Sequence, residues 1–362
     1  MSDTGEVSRG NIKRLGVVMS PDPERLEEIE GVLNPGAARG PDGELYLFPR
    51  VVGKGNYSRI GIARVLFNEE GVPTGVERLG YALEPQEPYE LRPREGSGGC
   101  EDPRVTFVEP LGIYVMAYAA WGPPGPRLAL AISEDLLTWR RLGLVHFESE
   151  GVDSKYGVRF DDYDNKDGAF FPEVIVARDG RRALGMLHRP MYTTKEQAPR
   201  GVTDPRPSIW ASFCLVDEAK EDIRALTRLR EHLMLIDPDH PWEHLRIGGG
   251  TPPVHTDLGM VMIYHGVSGT LARVPGEKNM VNYTAGVAVF DTSKPGYPIS
   301  YRSHTPIFVP ESEHETKGVV DNVVFPTGID DRGNGVYDVY YGMADKYIGV
   351  VRCWLPASLP GV

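Results

Sequence analysis

Apolar and polar residues alternate along this chain in short runs separated by turns rich in glycine and proline. Alternation at period two puts one set of side chains on each face of an extended strand, so the pattern predicts β-structure; stretches with helical spacing are scarce. One exception is PDPERLEEIEG, residues 21–31, which reads as a short helix packed outside the main body, preceded by a mobile tail over residues 1–10. Residues 217–235 have the length for another short helix, but DLLTWRRL holds the same place one unit earlier and favours a strand or turn. The stretches 191–207 and 269–281 read as strandless insertions of the kind that form rims or oligomer contacts.

The runs repeat. A three-part unit recurs roughly every 70 to 80 residues. It opens at a proline-marked strand entrance: Asn34-Pro35, Asp102-Pro103, Phe171-Pro172, Pro252-Pro253 and Phe325-Pro326. A second strand follows a glycine-containing turn: GELYLFPR, LGIYVMAYA, RALGMLHRP, LGMVMIYHG and VYDVYYGMA. A third alternating strand completes it: SRIGIARVLF, PRLALAISED, SIWASFCLVD, YTAGVAVFD and YIGVVRCWL. A lone meander of this size cannot bury both its faces, and stacking five around an axis does. The expected fold is therefore all-β, a five-bladed β-propeller over residues 31–362 as a single catalytic domain, with residues 1–30 as N-terminal tail and short helix. Strand entrances then converge at one end of the axis, making neighbours of residues far apart in sequence.

Those entrances carry the candidate chemistry. In Gly98-Gly99-Cys100-Glu101-Asp102-Pro103-Arg104, glycines let the backbone approach closely and a proline fixes two carboxylates at a strand opening. That is a rigid mount for an acid. Asp164 to Glu173 sets Lys166 among carboxylates, where a lysine can hold an anion and Asp167 or Glu173 can accept sugar hydroxyls; it lacks the spacing of a calcium loop, and no metal site is expected. His188-Arg189-Pro190 and Tyr264-His265-Gly266 end the second strands of neighbouring units, and Ser58-Arg59 opens a third strand in the first. Converging Arg and His donors suit a phosphate.

Composition narrows the partners. A formal charge of −12 and a pI near 5.3 argue against nucleic acid or an anionic membrane. The start of the chain lacks a secretory signal's apolar core, no apolar run is long enough to span a membrane, and three scattered cysteines fit a reducing compartment; the expected location is the cytoplasm.

Taken together and in order, Asn34-Pro35-Gly36, Glu101-Asp102-Pro103-Arg104, Lys166-Asp167-Gly168, His188-Arg189-Pro190, Gly248 to Pro253, Tyr264-His265-Gly266 and Asp321 to Pro326 resemble glycoside hydrolase family 130, the β-mannoside phosphorylases and relatives. The resemblance implies a five-bladed propeller of the phosphorylase, glycosyltransferase type, with Asp102 as the sole protein acid and inorganic phosphate as co-substrate and nucleophile, without other cofactor. The acid passes its proton to the glycosidic oxygen through a mannose hydroxyl while phosphate attacks from the opposite face, giving α-mannose 1-phosphate and a shortened acceptor. The cation candidates for phosphate are Arg59, Lys166, Arg189 and His265; those for sugar are Asn34, Ser58, Glu101, Asp167, Tyr264 and Asp321. Expected partners are a β-mannoside or mannooligosaccharide and phosphate, with the oligomeric state, a homo-oligomer included, left open. The alternatives are an inverting β-mannosidase using the same acid, with Glu173 or Asp167 activating water, and a non-catalytic sugar-binding propeller. Linkage and acceptor are left open.

Overall fold

A computed structural model describes residues 6–92, 97–148, 159–192, 194–272 and 277–359. Its strands group into antiparallel four-stranded meanders that follow the sequence repeat. Unit one comprises Gly31–Arg39, Leu45–Gly53, Tyr57–Phe67 and Pro73–Leu83; unit two, Gly98–Val108, Ile113–Gly122, Gly125–Ser133 and Arg140–Leu144. Unit three comprises Asn165–Phe170, Arg182–Pro190, Ile209–Leu215 and Arg228–Ile236; unit four, Arg246–Gly248, Gly259–Thr270, Met280–Phe290 and Ile299–Arg302. Unit five has Val324–Gly333, Val336–Met343 and Tyr347–Trp354. Its fourth strand is Ile12–Met19, paired antiparallel from Ile12 opposite Cys353 to Met19 opposite Ile348.

The N-terminal segment is thus not all tail and helix. Strand Ile12–Met19 alternates half-buried and exposed positions against the last strand, Val7 is buried, and the helix expected over 21–31 is only a 3₁₀ turn at Leu26–Glu28 before the first strand of unit one. Residues 217–235 hold both a helix, Val216–Glu221, and the fourth strand of unit three. The insertion at 269–281 continues the hairpin between the second and third strands of unit four, and 191–207 has no strand among its described residues. Among the described residues no helix is long and apolar enough to cross a membrane.

Successive units pack on one another through apolar faces. In Ile113–Gly122, Val115 and Ala117 pack with Phe170, Leu184 and Met186 of unit three, while Tyr114, Met116 and Tyr118 pack with Phe48 and Ile60 of unit one. Similar clusters join units three and four, four and five, and five and one, where Tyr340, Ile348 and Val350 meet Val32, Leu47 and Val51.

A second repeat fastens the segment ahead of four of the units. Pro23, Pro85, Pro238 and Pro310 are each followed five residues on by a buried glutamate: Glu28, Glu90, Glu243 and Glu315. Each carboxylate accepts backbone N–H groups of its own loop and an arginine from the fourth strand of its unit, Arg78, Arg141, Arg302 and Arg14 respectively. In three of them a second-strand tyrosine also donates to it: Tyr118 at 2.7 Å, Tyr264 at 2.6 Å and Tyr341 at 2.7 Å. Charge-assisted bonds to a buried carboxylate are the stronger kind, so these loops are held at the junctions between units.

Candidate active site

The first strands of units one, two and three bulge at the same place. The antiparallel register skips between Leu33 and Gly36, Glu101 and Arg104, and Lys166 and Ala169. Inside those skips Asn34, Asp102 and Asp167 have φ of 44°, 46° and 58°. Asn and Asp tolerate this left-handed region better than other non-glycine residues, and a bulge re-aims a side chain out of the strand's alternation. Three polar residues from three units are thereby turned into one cavity of about 320 Å³, lined also by Arg50, Lys166, Arg189, Arg246 and Asp345.

Asp102 is 6% exposed. Its Oδ1 accepts from Asn34 Nδ2 at 2.9 Å and Arg50 Nη1 at 3.2 Å, and Lys166 Nζ stands 3.9 Å from Oδ2. Burial pushes its carboxyl up, but Arg50, Lys166 and Arg104 outweigh that and hold it at about 2. Asp102 is therefore a carboxylate. Arg104 is buried beneath it and donates to the carbonyls of Asp102, Gly249 and Gly250, which ties the glycine-rich turn of unit four to the acid's strand. Side chains have no room there. A Cβ on Gly248 would lie 2.3 Å from Asp167 Oδ2, and one on Gly250 1.9 Å from the Ile263 carbonyl oxygen.

Asp167 is buried between Arg189 Nε at 2.6 Å and Arg104 Nη2 at 3.3 Å. Burial acts to raise its carboxyl, and Arg189, Arg104 and His265 together drive it well below the ordinary range. His265 lies behind the cavity wall, fully buried, with Nε2 3.9 Å from Asp167 Oδ2 and no hydrogen-bond partner for either ring nitrogen among the described residues. Burial lowers it to about 3, so the ring is neutral. In the cavity wall, Arg246 Nη2 donates to Tyr283 Oη at 2.6 Å.

Several expected residues lie elsewhere. Strand alternation turns Ser58 inward, where its hydroxyl accepts from Arg50 Nε at 2.9 Å, and turns Arg59 the other way, toward Glu84 at 3.3 Å. By the same rule His265 faces the site while Tyr264 faces outward into the Glu243 and Arg302 latch. His188 is buried against Asn165, Ser212 and Phe147. Asp321 is exposed, its carboxylate capping the Gly318 N–H at 3.1 Å, and Val323 and Phe325 of that segment line the cavity instead. Glu101 is fully buried and does not line the cavity. Glu173 is held by Tyr297 at 2.7 Å, also outside the lining.

Arg50, Arg246 and Asp345 were missed. A signal for two of them was present: Arg50 lies in the second strand of unit one opposite Leu33 of the first, as Arg189 and His265 lie opposite Lys166 and Gly248 in units three and four, and Asp345 follows the second strand of unit five. Burial, with the charges of Asp102 and Glu101, raises the Asp345 carboxyl to about 6 against the opposing pull of Arg50 and Lys166.

A family model described as beta-1,4-mannooligosaccharide phosphorylase matches residues 12–355. A 1,2-beta-oligomannan phosphorylase of Thermoanaerobacter sp. is 32% identical over 256 residues, covering 70% of this chain and 67% of that protein. A beta-1,2-mannobiose phosphorylase from the same source is 32% identical over 255 residues, covering 70% of this chain and 66% of that protein. The matched stretches thus span about two thirds of the relatives' length. Among solved structures, the beta-1,2-mannobiose phosphorylase of Listeria innocua in complex with beta-1,2-mannobiose superposes with a TM-score of 0.67 over 95% of this chain and 97% of that one, at 22% identity, a likeness of fold.

Proposed function

The chain belongs to glycoside hydrolase family 130, and from that premise we propose that it is an inverting phosphorylase of β-mannosides. The observation that carries this reading is the set of cations around Asp102: the cavity it faces holds Arg50, Lys166, Arg189 and Arg246 in its wall. An inverting hydrolase needs a second carboxylate free to activate water. Asp167 is engaged by two arginines, Glu173 is bonded to Tyr297 outside the cavity, and Asp345 in the cavity wall is assigned in this reading to the mannose, so none of the three is given to water. Cations that hold phosphate take the place of that base.

In this reading Arg189, Arg246 and Lys166 bind phosphate, with His265 behind them, and Asn34, Arg50 and Asp345 hold the mannose. A phosphate oxygen bonds to C1 on the face opposite the leaving oxygen. The C1–O bond breaks with its electron pair going to the leaving oxygen, which receives a proton from Asp102 relayed through a mannose hydroxyl. Phosphate's own proton restores the carboxyl, and α-mannose 1-phosphate leaves with a shortened acceptor. Because Arg50, Lys166 and Arg104 hold Asp102 ionised, a phosphate dianion bound at Lys166 is what lets it take up a proton.

We further infer that the meanders are the five blades of one propeller spanning residues 12–359, closed by strand Ile12–Met19; the apolar clusters between successive units, including five and one, support it. Free phosphate and three unpaired buried cysteines fit a cytoplasmic enzyme. The relatives' names make β-1,2-mannobiose the first substrate to try and β-1,4-mannobiose the second. With either, α-mannose 1-phosphate forms only when phosphate is present. Free mannose released equally fast without phosphate would overturn the reading.

A further inference from the structure

Glu101 and Asp102 are neighbours in sequence, but the bulge sends them to different surroundings. Asp102 faces the cavity; Glu101 is 0% exposed and lies behind it. Glu101 Oε1 accepts from Arg50 Nη2 at 2.7 Å and Oε2 from Lys166 Nζ at 3.3 Å. The same two cations reach Asp102, Arg50 Nη1 at 3.2 Å from Oδ1 and Lys166 Nζ at 3.9 Å from Oδ2. Two carboxylates therefore share two cations, and both Glu101 oxygens are spoken for with no surface open to a sugar.

We propose that Glu101 is a positioning residue for the phosphorolysis argued above, on which this inference rests: it fixes Arg50 and Lys166 on either side of Asp102 and takes up part of their charge, so that Asp102 can carry a proton when the bond breaks. The charged and polar groups facing Asp102 are Arg50 and Asn34 from unit one, Arg104 from its own strand, Lys166 from unit three and Asp345 from unit five. Three cations favour the carboxylate. Glu101 and Asp345 supply the negative charge that opposes them. Removing the Glu101 charge while keeping its shape leaves Arg50 and Lys166 fully directed at Asp102, and protonation becomes harder.

The test is the pH dependence of phosphorolysis of β-1,2-mannobiose at saturating phosphate in wild type, Glu101→Gln and Glu101→Asp. A general acid gives a rate that falls as pH rises through its apparent pKa. In Glu101→Gln that limb moves about one pH unit toward acid, with roughly tenfold lower kcat above it and KM for the mannoside within about twofold of wild type. Glu101→Asp keeps the charge but cannot span both cations, and its limb moves the same way by less. If Glu101→Gln does not fold, Glu101→Asp decides on the same criterion. A limb left in place with the rate scaled evenly across pH, or a raised KM at unchanged kcat, overturns the inference. The wild type is also run without phosphate on the same substrate: turnover that needs no phosphate defeats the functional reading, while the displacement of the limb still judges Glu101.

Discussion

Replacing Asp102 by asparagine removes one proton and one charge while keeping the side chain's shape, and the two losses are measured separately. On activity, a missing general acid costs about 10²- to 10⁴-fold. On stability, the folded protein holds this carboxyl at about 2 against an ordinary 3.8, a difference worth about 2 kcal/mol at 1.36 kcal/mol per pH unit. A carboxyl depressed in the folded state contributes stability above its unfolded pKa and loses it as pH falls through its folded pKa. Asp102→Asn is thus less stable than wild type by about 2 kcal/mol at pH 7, and the gap shrinks to about 1 kcal/mol near pH 3. Urea unfolding across that range, paired with assay of α-mannose 1-phosphate, reads both. A variant that keeps its turnover refutes Asp102 as the acid. A stability gap that does not change with pH refutes the account of Arg50, Lys166 and Arg104 as the groups that hold it ionised.

Three further outcomes are expected. Arg189→Ala raises KM for phosphate at least about tenfold in initial-rate assays, whereas Arg59→Ala, whose guanidinium turns toward Glu84, leaves it within about twofold. Asp345→Asn loses activity but stabilises the empty protein: a carboxyl raised to about 6 costs stability as pH rises from its unfolded value through 6, so at pH 8 the variant gains about 1 to 2 kcal/mol in denaturant melts, allowing for its partial exposure at the cavity wall. Gly250→Ala places a methyl against the Ile263 carbonyl and lowers stability by about 1 to 3 kcal/mol, with the spacing between Arg104 and the turn lost; a thermal melt unchanged from wild type counts against the packing described there.

Much of the architecture was legible along the chain because it is local. Strand alternation and glycine-marked turns recur in every unit, and each second and third strand read from the pattern overlaps its observed strand, with ends differing by four residues or fewer. The fourth strands were harder: Arg140–Leu144 and Ile299–Arg302 are short, and Ile12–Met19 pairs with residues more than three hundred positions away. Nothing near Ile12 announces that partner. The Pro-x-x-x-x-Glu latches were present as a pattern, but their glutamates read as surface charges until burial and the arginines of the fourth strands gave them a role.

The candidate site divides along the same line. By itself the sequence determined that Asp102 stands at a rigid strand opening among repeated polar entrances, because glycine, proline and the left-handed tolerance of Asn and Asp are properties of the residues themselves. Only the tertiary structure decided which neighbour faces the cavity. Ser58 and Arg59 are separated by one residue on a strand, as are Tyr264 and His265, and at period two one residue is the difference between the site's side and the other. That parity is set by where the bulges fall and how the units meet. Asp345 shows the same limit, since its carboxyl is raised by burial and by Asp102 and Glu101 against the pull of Arg50 and Lys166, groups of three other units that only folding brings together.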